Sequence, residues 1–428
     1  MPQSIVRPLP LALLICTSLL LASCSGTVGG NGLQLESTKA SRSAASRHEA
    51  PARTVAPPAA TAEAATKPRI TGGPQRSTQL PNPPFISTSL GTFNEPWAMT
   101  FLPDGRLLVT EKPGQLRLFN TVTKTTGTIS GLPAVAYGGQ GGMGDVVLHP
   151  QYASNRYVYY SYAEAGSNST YGAVVARAPL TLDANGGGSL GTSQIVWRQS
   201  PKVGGQGHYS HRIAFGADGK LWITSGERQQ FTPAQDMATN LGKVIRLNDN
   251  GSIPADNPFV NQGGIAAQVW SLGHRNLLGI AFDGAGQLWT HEMGPAGGDE
   301  LNLIERGNNY GWPIVSNGDN YDGSVIPDHP TRPEFNPPEA WWTPVIAPAG
   351  FIIYSGELFP YFKGHGFIGG LASQALVRIQ FNGTTGREAE RYPMGQRIRE
   401  VEQGPDGAIW LLEDGASGRL LKLTPKPL

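Results

Sequence analysis

Cysteine is nearly absent. The chain has two in 428 residues, Cys16 and Cys24, so whatever folds downstream of them holds no disulfide and depends on core packing. Charge is sparse as well: 15% of residues are charged and the formal net charge is +1, which excludes the Lys/Arg excess that a nucleic-acid surface requires. Small molecules or proteins are the partners left. The apolar stretch from Leu9 to Leu21 is too short and too soon interrupted to span a bilayer durably. Helical signal is missing too, because no window keeps a 3.6-residue period bounded by caps. What the chain has in quantity is glycine (56) and proline (35), set as DG, PDG and GG pairs between short apolar runs. That is the distribution of a turn-rich, all-β protein.

The N-terminus reads as an export signal, with Arg7 ahead of the apolar stretch. Residues 21–24, Leu-Ala-Ser-Cys, resemble a bacterial lipobox, in which the signal (1–23) is cleaved and the Cys24 thiol is lipidated. The alternative is a plain secretory signal with Cys24 incidental. Residues 24–82 are mostly Ala, Ser, Thr and Pro with few large apolar side chains; they bury too little to fold and read as a tether. The folded part is expected over 83–428. With Ser25 after the cysteine, the expected location is the periplasmic side of a Gram-negative cell envelope, on the outer membrane, with membrane contact only through the lipid.

Within the folded part a plan repeats. FLPDGRLLVTEK (101–112), FGADGKLWITSGE (215–227), FDGAGQLWTHE (282–292) and GPDGAIWLLEDG (404–415) each end an apolar strand, turn at Gly and return through a strand read as alternating. Looser copies follow Leu148 and Tyr354. The anchors Phe101, Leu148, Phe215, Phe282, Tyr354 and Pro405 are 47 to 72 residues apart, room for one four-stranded propeller blade each. The expectation is a six-bladed β-propeller; a pair of β-sandwiches or a seven-bladed propeller would not give six anchors of one kind.

If each anchor ends the strand nearest the central channel, residues six to eight positions earlier stand where that strand begins. Those positions hold Gln140, His208, Arg275, Asn276, Arg397 and Arg399. Three guanidinium groups suit a ligand with several carboxylates or phosphates. A neutral histidine among them would serve as a general base, since surrounding positive charge disfavours its protonated form. His211 and Arg212 follow closely, and on a regular strand at most one of them shares a face with His208.

Seven segments, GGQGGMGDVVLHP (138–150), GHYSHR (207–212), LGKVIRLNDNGSIPADNPF (241–259), WSLGHRN (270–276), HEMGPAGGDELNLI (291–304), GNNYGWP (307–313) and GQRIRE (395–400), together resemble the soluble aldose (glucose/sorbosone-type) dehydrogenases that use pyrroloquinoline quinone. The resemblance runs from about residue 85 to the C-terminus. It implies a six-bladed propeller that oxidises an aldose at its anomeric carbon to a lactone, passing electrons to an acceptor the sequence does not name. It implies that His208 takes the proton of the anomeric hydroxyl, while Gln140, Arg275, Asn276, Arg397 and Arg399 hold the cofactor or orient the sugar. The main-chain oxygens of Gly294 and Pro295 would coordinate a Ca²⁺ that also binds the cofactor, Asp299 would steady that loop, and Glu300 and Tyr310 would hold a second, structural Ca²⁺.

The chain departs from the family pattern in three places. Ala372 stands where a lysine is usual, Met293 precedes Gly294, and Ser210-His211 replaces a glycine-rich turn. Two other readings therefore stay open on sequence grounds: a Ca²⁺-dependent propeller hydrolase or lactonase, and a surface-anchored binding propeller whose enzyme site has decayed.

Overall fold

A computed structural model of the chain describes residues 74–75, 80 and 82–427. The signal, Cys24 and nearly all of the tether lie outside them. The described residues belong to one compact unit, 66–428. Its backbone pairing begins before the compositional boundary at 83: Pro74 bridges Trp341, the Gln75 side chain accepts from the Glu388 N–H, and the Leu80 N–H donates to Arg391 O. Composition cannot reveal such main-chain bonds, which cost no large apolar side chain.

Nearly all regular structure is β, with one four-residue α-helix, Tyr152–Asn155, among the described residues. The repeated hairpins share one turn. In Leu102–Arg106, Gly216–Lys220, Asp283–Gln287 and Gly404–Ala408 the first N–H donates to the last carbonyl at 2.8–3.0 Å. An Asp side chain accepts a nearby N–H in each, and the glycine in it takes φ of 72–84°. Only glycine reaches that conformation without crowding its Cβ. The DG pairs at 104–105, 218–219 and 406–407 are the centres of three of these turns; in the fourth the glycine is Gly286.

The strands before the turns are Pro96–Phe101, Met143–Leu148, Ser210–Phe215, Leu277–Phe282, Pro348–Ile353 and Ile398–Gln403. They end at the sequence anchors or within two residues of them. Each neighbours the next, and the last returns to the first, so that they line a closed ring. Antiparallel sheets radiate from it, such as the four strands from Ser210–Phe215 out to Val269–Leu272. Two of the sheets are fused at their outer edge by the short parallel pairing of Thr126–Ser130 with Gly188–Leu190. The first strand, Phe85–Phe93, completes the sheet of the last three.

Apolar cores lie between consecutive sheets around the whole circle. Trp97 and Leu108 meet Val146 and Tyr160; Tyr159 and Val175 meet Ile213 and Ile223; Trp222 and Val244 meet Ile280 and Leu288. Trp289 and Leu301 meet Phe351 and Ile368; Phe367 and Leu376 meet Val401 and Ile409; Ala408 and Trp410 meet Leu107 and Val109. The sheets are covered on both faces, which is why their second strands, such as Leu107–Glu111 and Leu221–Ser225, are buried throughout. The architecture is a β-propeller.

Candidate active site

Every inner strand pairs irregularly where it begins. The register shifts between Pro96 and Ala98, Met143 and Val146, Ser210 and Ile213, Leu277 and Gly279, Pro348 and Phe351, and Ile398 and Glu400. Such bulges bend a strand and re-aim its side chains, so one rim of the ring turns its strand starts toward the axis. A cavity of about 460 Å³ opens there, within the usual range for a small-molecule site. Gln140, Asn276, Arg397 and Arg399 line it, with Lys112, Trp97, Tyr209 and Met293.

The GHYSHR segment carries the strongest irregularity. His208, Ser210 and His211 take φ of 47°, 57° and 58°, a left-handed conformation that costs a non-glycine residue roughly 1–2 kcal/mol. The glycine-rich turn expected here is thus replaced by residues held in glycine's conformation. The bend also breaks strict alternation, since Tyr209, Ser210 and His211 all line the cavity. His211 stacks on Trp97 with ring centroids 5.1 Å apart, and the Arg212 guanidinium, also over Trp97, is paired with Asp145 and Glu400.

His208 is 7% exposed. Its main-chain N–H donates to Gln140 Oε1 at 2.8 Å, and its Nδ1 is bonded to Glu227 Oε1. Burial lowers the imidazole's pKa below its ordinary value; the Glu227 bond opposes this and the Arg275 charge adds to it. Burial would raise the Glu227 carboxyl, yet the bonds from His208 and the Phe231 N–H keep it low. A neutral histidine thus faces an ionised carboxylate. With Nδ1–H assigned as the donor to Glu227, Nε2 is left as an acceptor.

Arg275 is not on the wall of the large cavity. Its Nη1 donates to Met293 O at 2.9 Å and Gly294 O at 2.6 Å, and its plane lies over Trp312. It lines a second, much smaller cavity of about 10 Å³ together with Gly294, Pro295, Glu300 and Tyr310. The residues expected to serve two separate ions therefore converge on one space, about the volume of a single ion or water. The Tyr310 hydroxyl is committed elsewhere: it donates to Leu303 O and accepts from the Glu305 N–H. Asp299 braces the loop, accepting from the Gly294 N–H at 2.9 Å and from the Ile346 and Ala347 N–H groups at 2.7 Å each. Burial raises its pKa to about 6 against those bonds. Met293 lines both cavities and so joins them.

Arg397 and Arg399 share one carboxylate, Asp414, through bonds of 2.8–3.0 Å. Ala372 is exposed beside Leu371, which lines the cavity.

Glu227, Asp414 and Lys112 escaped the sequence reading. A signal for Glu227 existed: Glu111, Glu292 and Glu413 end their second strands, and Glu227 follows its own by two residues. All four are buried, and each is bonded to a cationic or imidazole group: Arg117, His274, Arg419 and His208.

Comparison with known proteins agrees with this geometry. The chain is 38% identical over 341 residues to the aldose sugar dehydrogenase YliI of Escherichia coli strain K12, covering 78% of this chain and 91% of that one. The crystal structure of the soluble aldose sugar dehydrogenase from Escherichia coli, in its apo-form, superposes with a TM-score of 0.74 at 36% identity, covering 80% of this chain and all of that one. The PQQ-bound aldose sugar dehydrogenase of Streptomyces coelicolor superposes with a TM-score of 0.64 at 28% identity, over 81% of this chain and all of that one. Residues 93–422 match the family model described as glucose / sorbosone dehydrogenase, and the chain belongs to that family.

Proposed function

We propose that the protein is a six-bladed quinoprotein dehydrogenase that oxidises aldoses at the anomeric carbon to lactones. The observation that carries this reading is a buried, neutral His208 bonded to the Glu227 carboxylate and, through its main-chain N–H, to Gln140, which lines a cavity with Lys112, Arg397 and Arg399. The six-blade count is supported by the ring of inner strands and by the cores between consecutive sheets.

The cavity fits the cofactor on volume, and its wall stays net positive, with Lys112, Arg397 and Arg399 against the Glu95 and Asp414 carboxylates. Gln140, Asn276, Arg397 and Arg399 would hold it. Pyrroloquinoline quinone, when bound, supplies a two-electron acceptor for the hydride that leaves the sugar's C1. His208 Nε2 accepts the proton of the anomeric hydroxyl, and Glu227 holds the ring in the required tautomer and stabilises the imidazolium that forms. Burial helps the base, because it keeps His208 unprotonated at neutral pH.

The small cavity fits Ca²⁺ on donor chemistry, since main-chain carbonyls and the Glu300 carboxylate are hard oxygen ligands. Among the described residues no cluster of three or more His, Cys, Asp or Glu side chains could hold a metal, so an ion at this place relies on the carbonyls of Gly294 and Pro295. Calcium, when bound, supplies a positive charge that polarises an adjacent carbonyl. Arg275, already bonded to Gly294 O, orients that loop.

We propose further that lipid on Cys24 anchors the protein on the periplasmic side of a Gram-negative envelope, on the outer membrane, from which it passes electrons to a separate acceptor. No helix among the described residues is long and apolar enough to cross a membrane.

The test is titration of the purified protein with the quinone and Ca²⁺ while dye reduction by aldoses is followed. Activity is expected only with both present. Equal activity with NAD and no quinone, or none with any sugar, refutes the proposal.

A further inference from the structure

The cavity wall carries three cations, Lys112, Arg397 and Arg399, and two carboxylates, Glu95 and Asp414. The two arginines are tied to one carboxylate, so that corner presents a net charge of about +1 to a ligand. Lys112 is placed differently. Its Nζ donates to Gly139 O at 2.6 Å and forms a loose ion pair with Glu95 at 3.9 Å, beyond hydrogen-bond reach. The Glu95 carboxylate accepts instead from the Tyr137 hydroxyl at 2.9 and 3.0 Å. An ammonium has three donors, and the bond to Gly139 uses one.

The backbone at this point is firmly held. The Lys112 N–H donates to Glu95 O, its carbonyl accepts from the Met143 N–H, and the Glu95 N–H donates to Gly415 O. Gly415 follows Asp414, the partner of both arginines. Lys112, Glu95, Gly415 and Asp414 thus form one continuous, hydrogen-bonded rim, with Lys112 at the end that touches the Gly139-Gln140 wall. The lysine side chain is 23% exposed, so its charge is shielded from bulk water without being sealed off.

Resting on the proposed function, we infer that Lys112 is a cofactor-binding residue: its ammonium pairs with a carboxylate of the quinone and supplies the cation that the Asp414-tied arginines leave lacking. A tricarboxylate bound against a corner of charge about +1 keeps excess negative charge in a partly desolvated space. A lysine with donors to spare on the same wall offsets it. The competing role is a brace for the Gly139 carbonyl, which a neutral donor would serve as well.

The test is equilibrium binding of pyrroloquinoline quinone to the full chain in Ca²⁺ without sugar, followed by quenching of tryptophan fluorescence. Lys112→Gln, which keeps an N–H donor for Gly139 but not the charge, is expected to weaken binding about tenfold, the scale of one charge-assisted hydrogen bond. It should also make the affinity less dependent on salt concentration. Lys112→Arg should stay near the parent. Ala372→Lys, added to Lys112→Gln, should recover part of the affinity by restoring a cation at the rim. Unchanged affinity and salt dependence in Lys112→Gln overturn the inference while leaving the function standing, provided the parent binds quinone and reduces dye. A weakened Lys112→Gln whose salt dependence matches the parent's, and which Ala372→Lys does not restore, assigns the residue to the brace. A parent that binds no quinone removes the function and this inference together.

Discussion

At the scale of single residues, the site separates proton transfer from ligand binding. His208 acts on a proton in flight, a contribution of about 10²–10⁴-fold in rate, and its bonded partner Glu227 is not on the wall of the large cavity. His208→Gln is therefore expected to bind quinone nearly as the parent does and to lose most of kcat. Arg399→Ala should do the reverse, raising the quinone concentration for half-reconstitution while activity partly returns at saturation. Because burial lowers the His208 pKa from 6.5, kcat/KM for aldoses should rise with pH through a value below 6.5 and then level off. A rise centred well above 7 contradicts the buried neutral base. Gln140, Asn276 and both arginines, which line the cavity, were legible because they stand six to eight residues before the repeat's anchors; His208 stands there too, but it is not on that wall and reaches it through Gln140. Arg275 kept that distance as well, but its guanidinium is bonded to the Met293 and Gly294 carbonyls and so turns toward that loop, while its neighbour Asn276 faces the large cavity. Glu227 was overlooked because an acid at a strand end reads as a surface residue until its burial is known.

Hairpins are the next scale, and their inner strands also meet below the site. There Asp145, Arg212, Glu400 and Glu402 line a cavity of about 140 Å³. Burial raises the Glu400 carboxyl to about 8 against the Arg212 charge, and burial with the neighbouring Glu400 and Asp145 raises Glu402 well above the ordinary carboxylate value. An acid whose pKa is higher in the folded state binds its proton more tightly there, so its contribution to stability is whole below pH about 4.5 and is lost as pH rises through the folded value. Thermal stability should therefore fall as pH rises from about 5 through about 8, the folded value of Glu400, and Glu402→Gln should flatten that fall. A Glu402→Gln chain whose Tm tracks the parent's across that range rules this out. His211 and His291 act on the other flank: burial lowers both to about 3, so their contribution is lost as pH falls from 6.5 toward 3. The hairpins themselves were readable from their glycine turns, but the expected alternation of the second strands was wrong, since sheets packed on both faces bury them throughout. The bulges that open their starts were not, since two residues opposing one leaves no compositional mark.

For the whole molecule, closure depends on the pairing of Phe85–Phe93 with Gly418–Pro425. A chain ending at residue 416 leaves the first strand unpaired and exposes Leu411 and Phe85 of a shared core. It should unfold at a markedly lower temperature than the parent; an unchanged Tm contradicts closure through this sheet. Cys24→Ala should release a soluble form, and a variant as membrane-bound as the parent removes the lipid anchor from the account. The ring was legible because its anchors recur at blade spacing. The fusion of two sheets through Gly188–Leu190 was not, because it rests on a few main-chain bonds between remote segments.

The central claim is that His208, held by Glu227, removes the sugar's proton beside a bound quinone. The most direct measurement is rapid mixing of quinone- and Ca²⁺-loaded parent and His208→Gln with an aldose in the absence of an electron acceptor, following the quinone absorbance. The account predicts a single turnover in the parent and, at equal loading, reduction slower by at least about 100-fold in His208→Gln. Equal rates in the two, or no absorbance change in the loaded parent, contradict it.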